Sequence, residues 1–163
     1  MTSITFSSFA LAALLISVML VPASTAAVID IRTSRIPDRL VVLAGLPAVV
    51  TLAFELTGEH LGAAAYMFGG AVLYSGPLLM AHLWSPVAIG FGDIKLAAAL
   101  GLGLGAIDPR LAVVALFVAT GVTSCVGLLL NRRTMPLAPG LVVGTATASL
   151  VGGLIGMEFA PWR

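Results

Sequence analysis

The chain has 163 residues, of which 60% are hydrophobic and only 9% are charged, and its formal net charge is +1. A soluble domain carries roughly 25% charged residues, so this chain has too few polar side chains to cover a surface that faces water. The composition therefore indicates a polytopic membrane protein, and it excludes the basic footprint of a nucleic-acid-binding domain. With one cysteine, Cys125, the chain has neither an internal disulfide nor a thiolate metal cluster.

Apolar runs separated by polar or turn-forming residues predict an all-α fold of about six transmembrane helices. Helices of about 20 residues each use most of the chain, so we expect one transmembrane domain over residues 1–163. Pro22 predicts a kink in the first helix, and Pro37 suits the first turn of the second. The predicted spans lie near residues 6–29, 37–56, 61–83, 93–107, 111–130 and 137–157.

The first apolar run, which the sequence PASTAA follows, could also be a cleaved secretory leader. Because its first eight residues, MTSITFSS, hold no Lys or Arg, we expect it to be retained as a transmembrane helix.

Basic residues predict the orientation of the spans, because cytoplasmic loops are enriched in Lys and Arg. Both termini are therefore expected on the outer side of a multi-pass cytoplasmic-membrane protein. The acids sort in the same way: Asp30, Asp38 and Asp93 fall on the cytoplasmic side, and the remaining four are expected in outer loops. The predicted cytoplasmic set is Arg32, Arg35, Arg39, Lys95, Arg132 and Arg133, against Arg110 and Arg163 outside.

Span lengths place two of these acids near one another. Phe6 and Asp30 are 24 positions apart, or about 36 Å of helix, which exceeds a hydrocarbon core of about 30 Å. The fourth span, residues 93–107, is only about 22 Å long. We therefore expect Asp30 at the cytoplasmic edge and Asp93 several ångströms below it, at the start of a late-beginning helix.

Two carboxylates that meet in a partly desolvated site share one proton, because like charges close together cannot both ionise. The ionised carboxylate can activate a water while the protonated one polarises a carbonyl, which is the chemistry of aspartyl proteases. That chemistry requires no metal and no cofactor. Gly90 and Gly92, just before Asp93, would let a backbone approach closely.

Each of these residues also has a simpler structural interpretation. Asp93 could be only the N-cap of its helix, and Asp30 only an interfacial residue near Arg32. Asp38 is most simply a helix-dipole residue, and Lys95 is expected on a different helix face from Asp93, as a cytoplasmic anchor.

The two histidines and the paired glycines also have structural interpretations. His60 and His82 lie near opposite ends of the third span, cannot share a metal, and are expected at the interfaces. Three glycine pairs have small-xxx-small spacing, which predicts close helix packing: Gly101 and Gly105, Gly140 and Gly144, Gly152 and Gly156. Gly103 has no assigned role.

Three segments carry a resemblance to a known family. Asp30 with the following RIPDRL, then GFGDIKLAAALGLGLG from Gly90, then MPLAPGLVVG with Pro136 and Pro139 resemble, in order and spacing, the motifs of the type IV prepilin peptidases. The resemblance extends over most of the chain, from Asp30 to about Gly144. This chain lacks the paired CxxC segment of the long members and is similar to the short members, which serve tight-adherence (Flp-type) pili or archaeal-type surface filaments.

The resemblance implies a membrane aspartyl endopeptidase that cuts the short basic leader from prepilins or pseudopilins at the cytoplasmic face. By motif, Asp30 and Asp93 would be the catalytic pair, with Gly90, Gly92, Lys95, Pro136 and Pro139 in support. Residues 1–163 would then form a single peptidase domain.

Two other functions remain open at this point. A presenilin- or signal-peptide-peptidase-like enzyme shares GxGD, but those enzymes have more helices and a Tyr-Asp first motif, where here Ile29 precedes Asp30. A non-enzymatic carrier or packing subunit could use the carboxylates to hold a cation or proton. It would require a wet path to the outer side, and we expect no buried acid in the outer half to build one.

Overall fold

The computed structural model describes residues 2–33, 35–58, 61–86, 89–131 and 135–155, with side chains from Leu14 onward. Over these residues the chain forms six α-helices and no strand, which confirms the predicted all-helical fold. The helices are α1 (Thr2–Thr33), α2 (Asp38–Thr57), α3 (Leu61–Trp84), α4 (Phe91–Gly105), α5 (Arg110–Leu129) and α6 (Ala138–Leu154).

Four stretches are long and apolar enough to cross a membrane: Leu14–Thr33 within α1, and all of α2, α3 and α5. The helix α6 is apolar but shorter, at 17 residues. Many large apolar side chains on the outside of the bundle are exposed, among them Phe54, Phe117 and Leu129. This arrangement is that of a protein whose outer surface faces lipid. The placement of both termini on the outer side stays a prediction.

The short helix α4 lies at the centre of the bundle. Ten of its 15 residues are buried, and it contacts all five other helices. It begins at Phe91, two residues before the predicted start, so Phe91 and Gly92 are helical rather than irregular backbone. A central helix need not be long enough to span lipid by itself, because its neighbours cover it on every side.

Glycines bring α3 against α4. A Cβ atom added at Gly101 would lie 2.6 Å from the backbone oxygen of Gly70 and 2.8 Å from Cα of Ala71, so the two helices touch backbone to backbone. Gly105 meets Met67 of α3 in the same way. Along the α5–α6 contact, Gly140 and Gly144 lie against Ala119 and Ala115. The predicted close packing is thereby observed at two of the three pairs, while Gly156 lies outside the described residues.

Gly103, which had no assigned role, faces a different neighbour. A Cβ there would meet Cε of Met19 at 2.8 Å and Cδ1 of Ile16 at 3.3 Å, so this glycine admits α1. Alternate glycines of α4 thus serve two helices on opposite faces.

The first helix is longer than expected, extending four residues beyond the predicted span at each end. It continues through Pro22, and its last residue, Thr33, donates a hydrogen bond from Oγ1 to the carbonyl oxygen of Ile29 at 2.9 Å. Asp30 consequently lies in the last turn of α1 rather than in the loop that follows. Pro37 is the N-cap of α2, one position before the helix begins.

Candidate active site

Asp30 lies on the buried face of α1. Ile16, Met19, Ala23 and Ala27 precede it at helical spacing and are all buried. Asp30 continues this stripe and is only 5% exposed. Burial argues against the interpretation of Asp30 as only a surface residue near Arg32, because the helix turns this side toward the bundle.

Asp93 lies in the first turn of α4 and is 8% exposed. The N-cap of α4 is Gly90, so Asp93 occupies the third helical position, and the N-cap interpretation is wrong. Its backbone N–H donates to the carbonyl oxygen of Gly90 at 3.1 Å, and its carboxylate interacts in return with the backbone N–H of Gly90. This is one half of a capping box, with the carboxylate folded back over the start of its own helix, because Gly90 has no side chain to supply the other half.

The first turn of α6 faces both carboxylates. The backbone N–H of Ala138, the first residue of α6, is near both Asp30 and Asp93. Ala138 is fully buried. An N-terminal amide of a helix has no partner within the helix and carries partial positive charge, so it suits a shared position between two acids.

Two prolines explain why α6 begins where it does. Pro136 precedes the helix and Pro139 stands in its first turn, a position that proline favours because its fixed φ is helical and no N–H is needed there. Pro139 therefore adds no amide beside that of Ala138. The supporting role expected of both prolines corresponds here to setting the start of α6.

A buried tyrosine fixes the position of α6 against α3. The hydroxyl of Tyr74 donates to the carbonyl oxygen of Leu141 at 3.0 Å and lies 3.3 Å from Oγ1 of Thr145. Tyr74 and Thr145 are both fully buried. The N-terminus of α6 is held one turn above this contact, which keeps the Ala138 amide near the two aspartates.

Each aspartate retains one buried oxygen without a hydrogen-bond partner among the described residues: Oδ2 of Asp30 and Oδ1 of Asp93. The two charges are close enough to interact. Buried polar atoms are nearly always hydrogen-bonded, and their exceptions mark places where a proton, a water or a ligand belongs. The structure therefore brings the two predicted aspartates into one site and leaves each with an oxygen available for chemistry.

The loop between α1 and α2 covers the glycine next to Asp93. A Cβ added at Gly92 would lie 3.1 Å from Cβ of Ile36, so Gly92 admits this side chain. A Cβ at Gly90 would lie 3.3 Å from Oδ2 of Asp93. Both motif glycines thus make room for parts of the protein itself at the start of α4.

Lys95 pairs with Asp38 rather than with Asp30 or Asp93, in keeping with its predicted position on a different helix face from Asp93. Its Nζ forms an ion pair with Oδ1 of Asp38 at 2.8 Å, and lies 5.4 Å from the centre of the Phe91 ring. The side chains of Lys95 and Asp38 are 42% and 74% exposed. The pair connects the start of α4 to the start of α2.

His82 contributes to the site in a way that the sequence did not indicate. Its Nδ1 lies 2.8 Å from the carbonyl oxygen of Ile89, and its ring centre lies 5.9 Å from that of Phe91. The third helix therefore holds the residues that lead into α4. No sequence pattern signals this contact, since it depends on how the loop folds back on α3. His60 lies outside the described residues.

Glu55 corrects one further expectation. It is only 8% exposed, near the end of α2 that lies farthest from Asp38, so a buried acid does exist at the opposite end of the bundle. Between Asp38 and Glu55, the buried residues of α2 are apolar or glycine: Val41, Ala44, Gly45, Ala48 and Leu52. Among the described residues, no three His, Cys, Asp or Glu side chains lie together as a metal site would require.

Comparison with known proteins gives one match. The model of the type IV leader peptidase family matches residues 13–157, which is most of the chain and includes both aspartates. No curated protein and no solved structure matches.

Proposed function

The chain belongs to the type IV leader peptidase family, and from this premise we propose that it is a membrane aspartyl endopeptidase with Asp30 and Asp93 as its catalytic pair. The observation that carries the proposal is the placement of two buried carboxylates, from α1 and α4, around the one amide of Ala138. Each of them keeps a buried oxygen without a partner.

The proposed reaction uses the two carboxylates in opposite protonation states. The ionised one takes a proton from a water, whose oxygen attacks the carbonyl carbon of the scissile peptide. The protonated one donates its hydrogen bond to the carbonyl oxygen and stabilises the tetrahedral intermediate. Collapse of the intermediate breaks the C–N bond, and a proton passes from a carboxyl group to the leaving amine. One proton thus remains on the pair at the end of the cycle.

The proposed substrate is a prepilin or pilin-like protein, cut between its short basic leader and the apolar helix that follows. Such a substrate brings its scissile bond to the membrane edge, where Asp30 and Asp93 lie on the predicted cytoplasmic side. A partly desolvated site at that depth strengthens the hydrogen bonds made to the reacting carbonyl.

A carrier function is less well supported. Glu55 and Asp38 are 17 positions apart on α2, or about 26 Å. The buried face of α2 between them carries no polar side chain, so this helix offers no sequence of acids for a proton or cation to follow. Membership of a leader peptidase family likewise favours the prepilin peptidase over a presenilin-like enzyme.

The test is cleavage of a prepilin by the full-length protein in liposomes. We expect Asp30→Asn and Asp93→Asn each to lower the rate by about 10³-fold or more, because both carboxylates act as one unit. Substrate and product are separated by gel electrophoresis and the cut site is identified by mass spectrometry.

Asp108→Asn is the matched control. Asp108 caps the turn before α5, where its Oδ1 accepts a hydrogen bond from the backbone N–H of Arg110 at 2.7 Å, far from the aspartate pair. The Asp108→Asn variant should cleave the prepilin at nearly the wild-type rate. Cleavage that survives both catalytic substitutions, in protein that still inserts into the membrane, would contradict the proposal.

A further inference from the structure

We propose that His82 is a positioning residue for Asp93, acting through the peptide group that joins Ile89 to Gly90. The inference rests on the proposed function, since it assigns a helper to one of the two catalytic carboxylates. It arises from a histidine that the catalytic scheme does not use and that nevertheless lies next to the start of α4.

The direction of the hydrogen bond follows from its partner. Nδ1 of His82 lies 2.8 Å from the carbonyl oxygen of Ile89, and a carbonyl oxygen can only accept. Nδ1 must therefore carry the hydrogen. This contact fixes both the tautomer of the neutral ring and its orientation at the end of α3.

The bond reaches Asp93 because one peptide group has two ends. The carbonyl of Ile89 and the N–H of Gly90 belong to the same planar unit and point in opposite directions. His82 holds the oxygen end, and the hydrogen end is on Gly90, where a Cβ would lie 3.3 Å from Oδ2 of Asp93, so it is next to that carboxylate. Orienting one end therefore orients the other, and a donor to the oxygen also makes the N–H a stronger donor.

The peptide requires such a hold because the residue after it is a glycine. Gly90 has φ −70° and ψ 142°, which is ordinary extended backbone, but glycine moves out of this region at little cost. Without a contact on the Ile89 oxygen, this peptide could rotate and withdraw its N–H from Asp93. Gly90 cannot easily be replaced by a stiffer residue, because a Cβ there would crowd Oδ2 of Asp93 at 3.3 Å.

The consequence is a defect in turnover rather than in substrate binding. His82 contacts the backbone of Ile89 and the ring of Phe91. Loss of the bond disturbs the carboxylate that performs the chemistry and leaves the lipid-facing surfaces of the bundle unchanged. kcat should fall while KM stays constant.

The experiment compares three substitutions of His82 in full-length protein in liposomes, with a purified prepilin as substrate. Two of them keep a donor at different positions, and the third removes it. The side-chain NH₂ of Asn can occupy nearly the place of Nδ1, whereas that of Gln reaches the place of Nε2 and Leu has no donor. We expect His82→Leu and His82→Gln to lower kcat about 10-fold with KM within about 2-fold, and His82→Asn to stay within about 3-fold of wild type. Leu83→Ala, an exposed neighbour in the same turn, is the control.

A second measurement does not depend on activity. Amide hydrogen exchange of residues 89–95, followed by mass spectrometry, should be faster in His82→Leu and unchanged in His82→Asn. If wild type cleaves no prepilin, the proposed function fails, and the exchange data still decide on His82. The inference is overturned if Asn is as slow as Leu, if Leu matches wild type, if only KM changes, or if exchange does not distinguish Asn from Leu.

Discussion

At the scale of single residues, the site keeps two acids buried, and no cationic side chain of the described residues pairs with either of them. The ion pair that the described residues form, between Lys95 and Asp38, lies outside the site. Backbone amides face the acids instead, one from Ala138 and one from Gly90. Amides stabilise a carboxylate without neutralising it, so a proton can still move between the two acids.

The role of the Ala138 amide as a hydrogen-bond donor can be tested by replacing its N–H with an oxygen atom. Replacing residue 138 with the corresponding α-hydroxy acid turns its N–H into an ester oxygen and adds no bulk. A hydrogen bond to a charged group contributes about 1.5–3 kcal/mol, so we expect kcat to fall about 10- to 100-fold. Steady-state cleavage of a prepilin in liposomes measures this.

The same ester replacement at Ala112 is the control for helix stability. Its N–H also lies in the first turn of a helix, where it donates to the carbonyl oxygen of Pro109 at 3.1 Å, and its side chain is fully buried. Equal loss of kcat from both esters would mean that the Ala138 amide acts only by holding its helix.

Both aspartates could be singled out as candidates from the sequence, because a carboxylate is costly to bury in an apolar chain, and their catalytic role stays a prediction. The amide of Ala138 and the imidazole of His82 could not be singled out. One is a backbone group, which any residue type except proline supplies, and the other acts on a backbone oxygen. Their positions depend on how helices distant in sequence approach each other, which side-chain patterns along one segment do not encode.

At the scale of elements, the start of α4 is fixed by three neighbours. The histidine of α3 holds the loop before it, Ile36 of the α1–α2 loop lies over Gly92, and Asp38 of α2 pairs with Lys95. The ion pair is exposed, so its contribution to stability is small, at about 0–1 kcal/mol. Its effect is to join the start of α4 to the start of α2.

A charge exchange tests the ion pair. Lys95→Glu and Asp38→Lys each place like charges together and should lower kcat/KM about 2- to 5-fold, in keeping with an exposed pair. The double variant restores attraction with the charges reversed. It should regain most of the loss in the same prepilin cleavage assay.

Lack of recovery in the double variant would show that the two residues act separately. Asp108→Lys, at the opposite end of the bundle, controls for the change of net charge, and we expect it to leave kcat/KM unaffected.

Hydropathy predicted the existence and order of all six helices, but it misplaced several helix ends, among them the end of α1 and the start of α4. α1 continues into IRT because threonine and arginine side chains can end a helix beyond the apolar run. α4 begins at Phe91 because Gly90, not Asp93, serves as its cap. Both errors arise where polar residues at a helix end satisfy backbone groups, which an apolar window does not register.

At the scale of the whole molecule, the bundle is organised by backbone contact around α4. In lipid, apolar side chains gain little by meeting each other rather than acyl chains, so close packing of small residues supplies the association. Alternate glycines of α4 face α3 and α1. The aspartates lie away from these contacts, with Asp93 in the first turn of α4 and Asp30 in the last turn of α1.

The contact between α3 and α4 predicts a large effect of one methyl group. Gly101→Ala would place Cβ 2.6 Å from the backbone oxygen of Gly70, and backbone cannot move aside as a flexible side chain can. We expect a loss of about 1–3 kcal/mol in the free energy of unfolding. Thermal unfolding in detergent, followed by circular dichroism, measures it as a lowered Tm.

Gly121→Ala is the matched control within a helix of the same bundle. A Cβ at Gly121 would meet nothing within 4 Å, and alanine stabilises a helix interior by about 0.5–1 kcal/mol relative to glycine. Its Tm should stay the same or rise. Equal destabilisation by both substitutions would refute the role assigned to Gly101.

The amide of Ala138 also has a consequence for how the protein is made. It belongs to α6, whereas the acids that it faces lie in α1 and α4, which precede α6 in the chain. During synthesis both acids leave the ribosome well before that amide does. A nascent chain that has inserted five helices therefore holds both carboxyl groups but lacks the donor between them. If Asp30 and Asp93 act as proposed, cleavage activity should arise only after α6 has inserted beside them.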